Sequence, residues 1–472
     1  MKKILCILTT MACAATTLLA EPTRIAIHPK SQKQVFDGMG CGTIFYSGHI
    51  TSLAKRNKHK LQQQFYDELF KDVRTEYLHL MIRPAFEPKN DNDDPYTLNF
   101  TEKAFEKNRA ALEVSKAARK RRPNIKLFAT LYTPPAWMKT NGKPDGGGKE
   151  RGTLKPGLTE ELGEYMWAYL VHMQRNGEPV HYLSICNEPD WEHDQPSYFL
   201  TPDQHAVLLR DLMVYFDRMV AKHPDIKMPK IAAPNLLSTV GTAKRYWPAM
   251  QKLGVDKRVD VVASHDYDRR GHRWATLREL AGDRPLWCSE WCWNGKDTSP
   301  DLIKAASEFW LVMTEAFNDG ANVWMAYDWA YPPREGGEAL THVEWGQSYH
   351  KTKIYYAFKQ WSNPLTPGMR IVDSKVTGPS ASGISSPGVK ASAFVSPDGA
   401  KLVIHTVNLQ DKAANIALDI QDAGFKNAKF RITRTSEADA HRVLPDTTYP
   451  DDGFSETLKP REMVTYQLVR IR

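Results

Sequence analysis

The 472-residue sequence is poor in cysteine, in long apolar stretches and in clustered charge of one sign. Two of its six cysteines fall within the first 20 residues, and the other four are Cys41, Cys186, Cys288 and Cys292. Four cysteines are too few for a disulfide framework in a chain of this size, so we interpret them as small buried hydrophobic residues. A bridge between Cys288 and Cys292 is the alternative. No histidine cluster accompanies the cysteines, so we predict no metal site.

Only the N-terminus carries a sustained apolar run. Two lysines follow Met1, residues 4–19 are apolar, and a small residue, Ala20, ends the run. This order is typical of a secretory signal peptide, which we place at residues 1–20. The run is too short and too early for a membrane anchor. We therefore predict a secreted or periplasmic protein without a membrane span.

The charge pattern excludes a nucleic-acid footprint. Lys and Arg number 63 against 55 Asp and Glu, for a formal charge of +8, and the basic residues are scattered along the chain. We therefore predict no nucleic-acid partner, and a monomer that acts on a carbohydrate. The 13 tryptophans suit a sugar-binding cleft, since aromatic faces stack on the C–H faces of sugar rings, although a large core would also use them.

Apolar strand patterns alternate with helical patterns along most of the chain. Helical spacing separates eight short apolar runs, and a unit of about 31 residues is typical of a (β/α)8 TIM barrel. The predicted strands are 37–42, 76–83, 126–132, 179–184, 230–235, 259–265, 286–290 and 321–327. The barrel is expected over residues 37–366. A Gly- and Lys-rich loop at 139–157 is expected to be mobile above the cleft.

The pattern of apolar and polar residues changes near residue 367. Short alternating segments separated by turns then continue to residue 472, which predicts an antiparallel β-sandwich side domain. Residues 21–36 alternate in the same way, and we expect them to join that side domain because the barrel needs no strand there.

Two apolar strands end in glutamates. Glu188 lies in Asn187-Glu188-Pro189, with Trp191 just beyond, and Glu290 follows Leu286-Trp287-Cys288-Ser289. The 102 residues between them correspond to about three barrel units, which places them on strands four and seven. Side chains at these strand ends face the cleft of a barrel, and glycoside hydrolysis needs such a carboxyl pair.

These motifs resemble glycoside hydrolase family 30. The stretches that carry the resemblance are Thr133-Pro-Pro-Ala-Trp137-Met-Lys139, Asn187-Glu188-Pro189, His265-Asp-Tyr267, Ser289-Glu290 and Arg434-Thr-Ser-Glu437 in the β module. The likeness covers nearly all of the mature chain. Asn-Glu-Pro is shared by several barrel families, and the Pro-Pro-Ala-Trp stretch and the trailing β module favour family 30.

The resemblance implies a retaining β-glycosidase in which Glu188 is the general acid/base and Glu290 the nucleophile. Asn187 would hydrogen-bond the sugar 2-hydroxyl, and Arg83 would hold Glu290 ionised through a charge-assisted bond. His265 and Tyr267 would line the same subsite. Candidate sugar platforms are Trp137, Trp291, Trp293 and Tyr327, with a place in the core as the alternative for each. No cofactor is implied, because two carboxylates suffice.

The substrate is less well specified than the mechanism. Tyr132-Thr133 stands where the family often has Trp-Ser, and the loop 139–157 is long. A β-xylan or a β-1,6-linked glucan or galactan is expected, and Arg334 is a candidate for an acidic substituent, with solvated charge as the alternative. Three other functions stay open: another Asn-Glu barrel glycosidase family, a non-catalytic carbohydrate-binding protein on a barrel scaffold, and an adhesion or structural protein.

Overall fold

The computed structural model describes residues 21–55, 58–146, 151–191, 194–268, 273–295, 297, 299, 301–333, 339–382 and 387–471. The expected signal peptide and Arg334 lie outside these ranges, as do residues 147–150 of the loop expected above the cleft. Among the helices in these ranges, none combines the length and the apolar character needed to cross a bilayer.

Eight parallel strands close into a barrel in the order of the sequence, so the predicted fold class is confirmed. Strand β1 (Thr23–Val35) precedes the barrel. The barrel strands are β2 (Gly38–Gly42), β3 (Tyr77–Ile82), β4 (Lys126–Leu131), β5 (Tyr182–Ser184), β6 (Lys230–Leu236), β7 (Val261–Ser264), β8 (Leu286–Trp291) and β9 (Val323–Ala326). Because the strands are parallel, all their carboxyl ends meet at one mouth.

Helices connect and cover the strands. They are α1 (Ser47–Ser52), α2 (His59–Asp67), α3 (Arg109–Arg121), α4 (Thr159–Arg175), α5 (Pro202–Lys222), α6 (Thr239–Gly241), α7 (Trp247–Lys252), α8 (Trp274–Ala281), α9 (Ile303–Asn318) and α10 (Lys353–Ser362). Helix α5 begins with a capping box: Thr201 Oγ1 accepts the Gln204 N–H at 3.3 Å, and Gln204 Oε1 accepts the Thr201 N–H at 2.9 Å. These bonds satisfy backbone donors that the first helical turn leaves open.

Side chains fill the barrel interior in layers. The lower layer contains large rings, with the centroid of Trp287 4.9 Å from Tyr77 and 4.5 Å from Tyr182. Above it, the buried His79 bonds Thr130 through Nε2 at 2.8 Å. Successive inward positions on each strand are two residues apart, because side chains alternate across a strand. These aromatic rings therefore fill the lower part of the barrel interior, below the mouth.

The remaining strands form two further sheets. Strands β10 (Asp328–Tyr331), β11 (Ala339–Glu344) and β12 (Ser348–Lys351) make a small sheet after barrel strand eight. The side module contains β13 (Arg370–Thr377), β14 (Val389–Val395), β15 (Lys401–Asn408), β16 (Ala414–Ile420), β17 (Lys429–Thr435), β18 (Arg442–Val443), β19 (Thr447–Thr448), β20 (Phe454–Leu458) and β21 (Met463–Val469). Strand β1 belongs to its sheet, antiparallel to β13 and parallel to β16.

The side module packs against the last two barrel helices. Gln360 on α10 donates through Nε2 to the carbonyl oxygens of Thr433, at 2.9 Å, and Met463, at 3.1 Å. Trp361 on the same helix stacks on His405 of β15, with ring centroids 4.2 Å apart. Apolar residues of β14, β15 and β21 extend the barrel's core cluster, so the two units share one hydrophobic layer.

Candidate active site

Two glutamates meet at the carboxyl ends of the barrel strands. Glu188 follows β5 in a left-handed backbone conformation, with φ of 45°, and its N–H donates to the Asn235 carbonyl oxygen at 3.0 Å. A left-handed conformation is uncommon for a residue with a side chain and is often maintained at functional sites. Strand β6, which carries Asn235, thus fixes the direction in which Glu188 leaves its strand.

A β-bulge sets the direction of Glu290. On β8 the side chain of Trp287 packs inside the barrel, whereas Leu286 and Cys288 pack outward against the helices. Strict alternation would then point Trp291 inward and Glu290 outward. The pairing with β9 shifts register between Cys288 and Trp291, so Glu290 enters the cleft and Trp291 packs outward. Bulges commonly re-aim a side chain in this way.

The two carboxylates face each other across a short gap. One oxygen of Glu188 and one of Glu290 lie within 4.8 Å, and His265 Nδ1 lies within 4.8 Å of both. His265 Nδ1 is 2.8 Å from Glu188 Oε1 and 3.7 Å from Glu290 Oε1. Carboxyl groups about 5–5.5 Å apart suit direct attack on a sugar, whereas about 6.5–9.5 Å leaves room for an intervening water.

Hydrogen-bond donors surround Glu290. The Tyr132 hydroxyl donates to Oε2 at 2.7 Å, and the Tyr267 hydroxyl donates to Oε1 at 3.2 Å. Burial raises the pKa of Glu290 to about 7 and neighbouring Glu188 adds to the rise, while His265 and the two hydroxyls oppose it. Hydrogen bonds to a carboxylate favour its charged form, which is the form that a nucleophile requires.

Glu188 has a different environment. It is 7% exposed, and burial raises its pKa to about 8, which keeps a proton on it near neutral pH. Burial also lowers the pKa of His265, although Glu290 and Asp190 oppose that change, so the imidazole is favoured in its neutral form. A neutral ring can donate to, or accept from, Glu188 as the carboxyl group changes its protonation state.

The carboxylates lie in a cleft of about 1000 Å³. Its described lining is largely aromatic and amide in character: Phe45, Tyr46, Tyr132, Asn187, Glu188, Trp191, Gln195, Leu237, Tyr267, Asp268, Glu290, Cys292, Asn294, Tyr327 and Tyr331. Apolar walls with a few convergent polar groups are typical of small-molecule sites, and this size accommodates more than one sugar ring.

Five of the residues predicted from the sequence surround this cleft. Asn187, Tyr267 and Tyr327 line it together with the two glutamates, and the Oδ1 atom of Asn187 is buried without a hydrogen-bond partner among the described residues. His265 lies directly behind Glu188 and is fully buried.

Three predicted sugar platforms are corrected by the structure. Trp291 packs edge-on against Phe309, with centroids 5.0 Å apart, in the layer between barrel and helices. Trp293 donates through Nε1 to Glu308 Oε2 at 3.1 Å, and Trp137 donates to the Glu87 carbonyl oxygen at 3.1 Å. In the described part of the chain, none of these three tryptophans lines the cleft, because their rings pack in or against the hydrophobic core.

The predicted bond between Arg83 and Glu290 is also corrected. Arg83 Nη2 donates at 2.8 Å to the carbonyl oxygens of both Ile44 and Phe45. The buried Asp328 accepts the N–H groups of the same two residues, at 3.0 and 3.4 Å. Arg83 therefore positions the loop after β2, and the two tyrosines take the place beside Glu290 that the sequence analysis gave to Arg83.

The described residues of the loop after β4 pack on the neighbouring loop and do not line the cleft. Lys139 is buried, and its Nζ donates to the carbonyl oxygens of Ser197, at 2.6 Å, Asp145, at 2.5 Å, and Pro144, at 3.2 Å. None of the described residues of 139–157 lines the cleft. The thiols of Cys41, Cys186, Cys288 and Cys292 are buried and not part of a disulfide, so no bridge joins Cys288 to Cys292.

Sequence reasoning missed Tyr132, one of the two tyrosines that bond Glu290, and the wall from the first barrel loop. Tyr132 could have been found by alternation, since Phe128, Thr130 and Tyr132 are successive inward positions of one strand. Phe45 and Tyr46 carry no such signal, because they lie in a loop whose shape depends on distant Asp328.

Three side chains in the site also have the donor atoms for a metal ion. They are Glu188, His265 and Glu290, whose ligand atoms lie within 4.8 Å of one another. Two carboxylates and an imidazole can bind a divalent transition metal. The same atoms are already engaged in hydrogen bonds that suit acid/base chemistry, so the absence of a metal stays a prediction.

A parallel eight-stranded barrel with two facing carboxylates at its mouth defines the class of the barrel glycosidases. A family model described as O-Glycosyl hydrolase family 30 matches residues 100–219. A relative in Caenorhabditis elegans, whose name marks it as a candidate glucosylceramidase, is 22% identical over 336 residues. That alignment covers 63% of this chain, and the chain spans 61% of the relative's length.

Solved structures share the fold over nearly the whole chain. The family 30 subfamily 8 xylanase Xyn30A from Clostridium acetobutylicum has a TM-score of 0.71 at 20% identity, covering 94% of this chain and 99% of that one. An endo-β1,6-glucanase has a TM-score of 0.68 at 16% identity, covering 96% and 94%. A conserved exported protein from Bacteroides fragilis has a TM-score of 0.70 at 16% identity, covering 94% and 99%.

The predicted resemblance to glycoside hydrolase family 30 is confirmed: the family model matches residues 100–219, and a xylanase of that family shares the fold. The structural likenesses establish the fold of this chain, a barrel with an attached β module.

Proposed function

We propose that the protein is a retaining glycoside hydrolase that cleaves β-glycosidic bonds by double displacement. The observation that carries this proposal is the pair of buried carboxylates, with oxygens within 4.8 Å of each other and two tyrosine hydroxyls directed at Glu290. The short gap favours direct attack over attack through a water. The unequal environments favour Glu290 as nucleophile and Glu188 as acid/base.

In the first step, a carboxylate oxygen of Glu290 attacks the anomeric carbon and forms a glycosyl ester. The bond to the leaving oxygen breaks, and that oxygen takes the proton of Glu188. The Oδ1 atom of Asn187 is buried and has no hydrogen-bond partner among the described residues. It is therefore suited to accept a hydrogen bond from the sugar 2-hydroxyl. Such a bond strengthens as positive charge develops in the transition state.

In the second step, Glu188 removes a proton from water, and the water oxygen attacks the anomeric carbon and releases Glu290. Formation of the ester neutralises Glu290, which removes a like charge from beside Glu188. Loss of that charge lowers the pKa of Glu188, so the same group that gave a proton can now take one. His265 holds the carboxyl group in place through both steps.

The expected substrate is a β-linked polysaccharide or its fragments, with β-xylan or β-1,6-linked glucan or galactan foremost. Support comes from the names of structural neighbours, which include a xylanase and an endo-β1,6-glucanase. An exported neighbour and the N-terminal apolar run support secretion of the protein.

The test is hydrolysis of a panel of glycans by the purified protein, alongside Glu290→Gln. The panel contains xylan, glucuronoxylan, β-1,6-glucan, β-1,6-galactan and aryl β-glycosides. We expect one substrate class to be cleaved, with the first-formed product keeping the β configuration by NMR, and the variant to lose at least about a thousandfold in rate. An α product would contradict the retaining mechanism.

Two further outcomes would separate the alternatives. Binding of one glycan without hydrolysis would favour a non-catalytic carbohydrate-binding protein. Loss of activity in a chelator, restored by a divalent metal, would indicate that Glu188, His265 and Glu290 act as ligands and would overturn the two-carboxylate mechanism.

A further inference from the structure

The cleft has one strongly exposed indole, which the catalytic steps above do not use. Trp191 is 48% exposed and lines the same cleft as Glu188 and Glu290. By contrast, three tyrosines of the lining, Tyr132, Tyr327 and Tyr331, are at most 8% exposed. A large exposed aromatic ring beside convergent polar groups is typical of a ligand-contact surface.

The backbone that carries Trp191 is anchored to the acid/base residue. The Trp191 N–H donates to the Glu188 carbonyl oxygen at 2.9 Å, and the Leu200 N–H donates to the Pro189 carbonyl oxygen at 3.0 Å. Asp190 lies between Pro189 and Trp191 in the sequence, and its buried carboxylate accepts the Leu237 N–H at 3.1 Å. These hydrogen bonds fix the position of the Trp191 backbone relative to Glu188.

Two aromatic walls stand on opposite sides of the carboxylates. Trp191 follows β5, the fourth barrel strand, whereas Tyr327 follows the eighth strand and Tyr46 the first. In a closed ring of eight strands, the fourth lies across the mouth from the eighth. A glycan that crosses the cleft would thus contact the tyrosines at one end and Trp191 at the other.

The chemistry decides which end of the glycan meets Trp191. The general acid gives its proton to the leaving oxygen, so the leaving group must lie on the side of Glu188. Trp191 is three residues beyond Glu188 and on the same wall. The nucleophile Glu290, by contrast, is contacted by Tyr132 and Tyr267.

We propose that Trp191 is a specificity-determining platform that stacks on the sugar ring of the leaving group, so that the protein favours bonds with sugar on both sides. This inference rests on the proposed function and adds a preference for saccharide leaving groups, as in cleavage within a chain.

The test compares two leaving groups in Trp191→Ala and Trp191→Phe. Xylohexaose and β-1,6-glucohexaose have a saccharide leaving group, whereas xylobiosyl and gentiobiosyl fluoride release a single atom that cannot stack. For Trp191→Ala we expect kcat/KM on the cleaved hexasaccharide to fall about tenfold or more, mainly through KM, with fluoride hydrolysis changed less than about twofold. Trp191→Phe should recover part of the loss.

Trp345→Ala is the matched control, because Trp345 is 47% exposed and does not line the described cleft. It should leave both reactions unchanged. Equal losses on hexasaccharide and fluoride, or no loss on the hexasaccharide, would overturn the platform while the proposed function stands. If the wild-type protein cleaves neither these substrates nor any glycan of the panel above, both proposals are overturned together.

Discussion

Two groups of carboxylates in this molecule contain buried members whose pKa values are raised, but the two groups have different surroundings. The first is the pair Glu188 and Glu290 at the barrel mouth. The second, which we name the acidic cluster, comprises Glu87, Asp91, Glu161 and Glu164, between the loop after β3 and helix α4. Burial, reinforced by neighbouring acids, raises the pKa of Glu87 to about 9 and of Glu164 to about 8.

The difference lies in the hydrogen-bond donors. Glu290 accepts two tyrosine hydroxyls, and Glu188 is 2.8 Å from an imidazole nitrogen. Both carboxylate oxygens of Glu87 and of Glu164 are buried without a hydrogen-bond partner among the described residues. Neither residue lines the cleft.

A raised pKa therefore does not identify an active site by itself. Structural clusters shift pKa values as strongly as catalytic ones do. What distinguishes the mouth of the barrel is the combination of a facing pair, converging donors and an open cleft. In the acidic cluster, ionisation of the buried carboxyl groups of Glu87 and Glu164 is expected to lower the free energy of unfolding, because no hydrogen-bond donors among the described residues stabilise the buried charges there.

The largest expected effect comes from replacing one glutamate in each group by its neutral isostere. Glu188→Gln removes the proton donor, so kcat/KM on unactivated glycans should fall by about a hundredfold to ten-thousandfold. Glu87→Gln has the same chemistry at an equally buried site and should change kcat/KM by less than about threefold. Steady-state kinetics on the substrate identified from the panel measures both.

Equal losses of activity in Glu188→Gln and Glu87→Gln would contradict the distinction between the two groups of carboxylates. Such a result would mean that burial of the acid, and not its place in the cleft, controls the reaction. Circular dichroism of both variants shows whether the fold is intact.

The strand-helix alternation was sufficient to predict the barrel, because parallel strands buried on both faces read as short apolar runs between helices. The same runs placed Glu188 and Glu290 at strand ends. Where the chain continues beyond β4 and β7, the same alternation predicts which residues face inward, as Tyr132, His265 and Tyr267 do.

Alternation fails where the backbone departs from a regular strand. Trp291 was expected in the cleft, but the bulge on β8 turns it into the outer layer. Arg83 was expected beside Glu290, but its guanidinium satisfies two loop carbonyl oxygens more than 35 residues away in sequence. Neither a bulge nor a long-range loop contact leaves a periodic signal, so the sequence cannot specify them.

The acidic cluster was missed for a related reason. Its four members come from a loop and a helix about 70 residues apart in the sequence, and each carboxylate alone resembles an ordinary surface charge. Only the packing of the loop on α4 makes them neighbours.

The second change removes a hydrogen-bond donor from the carboxylate pair at the barrel mouth, so that the surroundings of Glu290 become more like those of the acidic cluster. Tyr132→Phe deletes the 2.7 Å bond to Glu290 and leaves the ring in place. A hydrogen bond to a charged group contributes about 1.5–3 kcal/mol, so we expect kcat to fall about tenfold to a hundredfold. Because the lost bond favoured the carboxylate, the acid limb of the kcat/KM profile should move to higher pH.

Tyr267→Phe provides a graded control, since its bond to Glu290 is longer, at 3.2 Å. It should shift the acid limb in the same direction by a smaller amount. An acid limb that stays in place in both variants would show that the tyrosines do not set the ionisation of Glu290.

The smallest effect is expected in the stability of the acidic cluster as a function of pH. A carboxyl group with a raised pKa in the folded state binds its proton there more tightly than in the unfolded chain. Its stabilising contribution is complete below its ordinary pKa of 4.5 and is lost as pH rises toward about 8 for Glu164. Glu164→Gln cannot ionise, so it should match the wild type at pH 5 and exceed it by about 1–3 kcal/mol at pH 9. Urea unfolding at both pH values measures the difference, and Glu106→Gln, on an exposed helical surface, should show none. A wild-type protein as stable at pH 9 as the variant would mean that the cluster is compensated, and the contrast with the donor-rich catalytic pair would disappear.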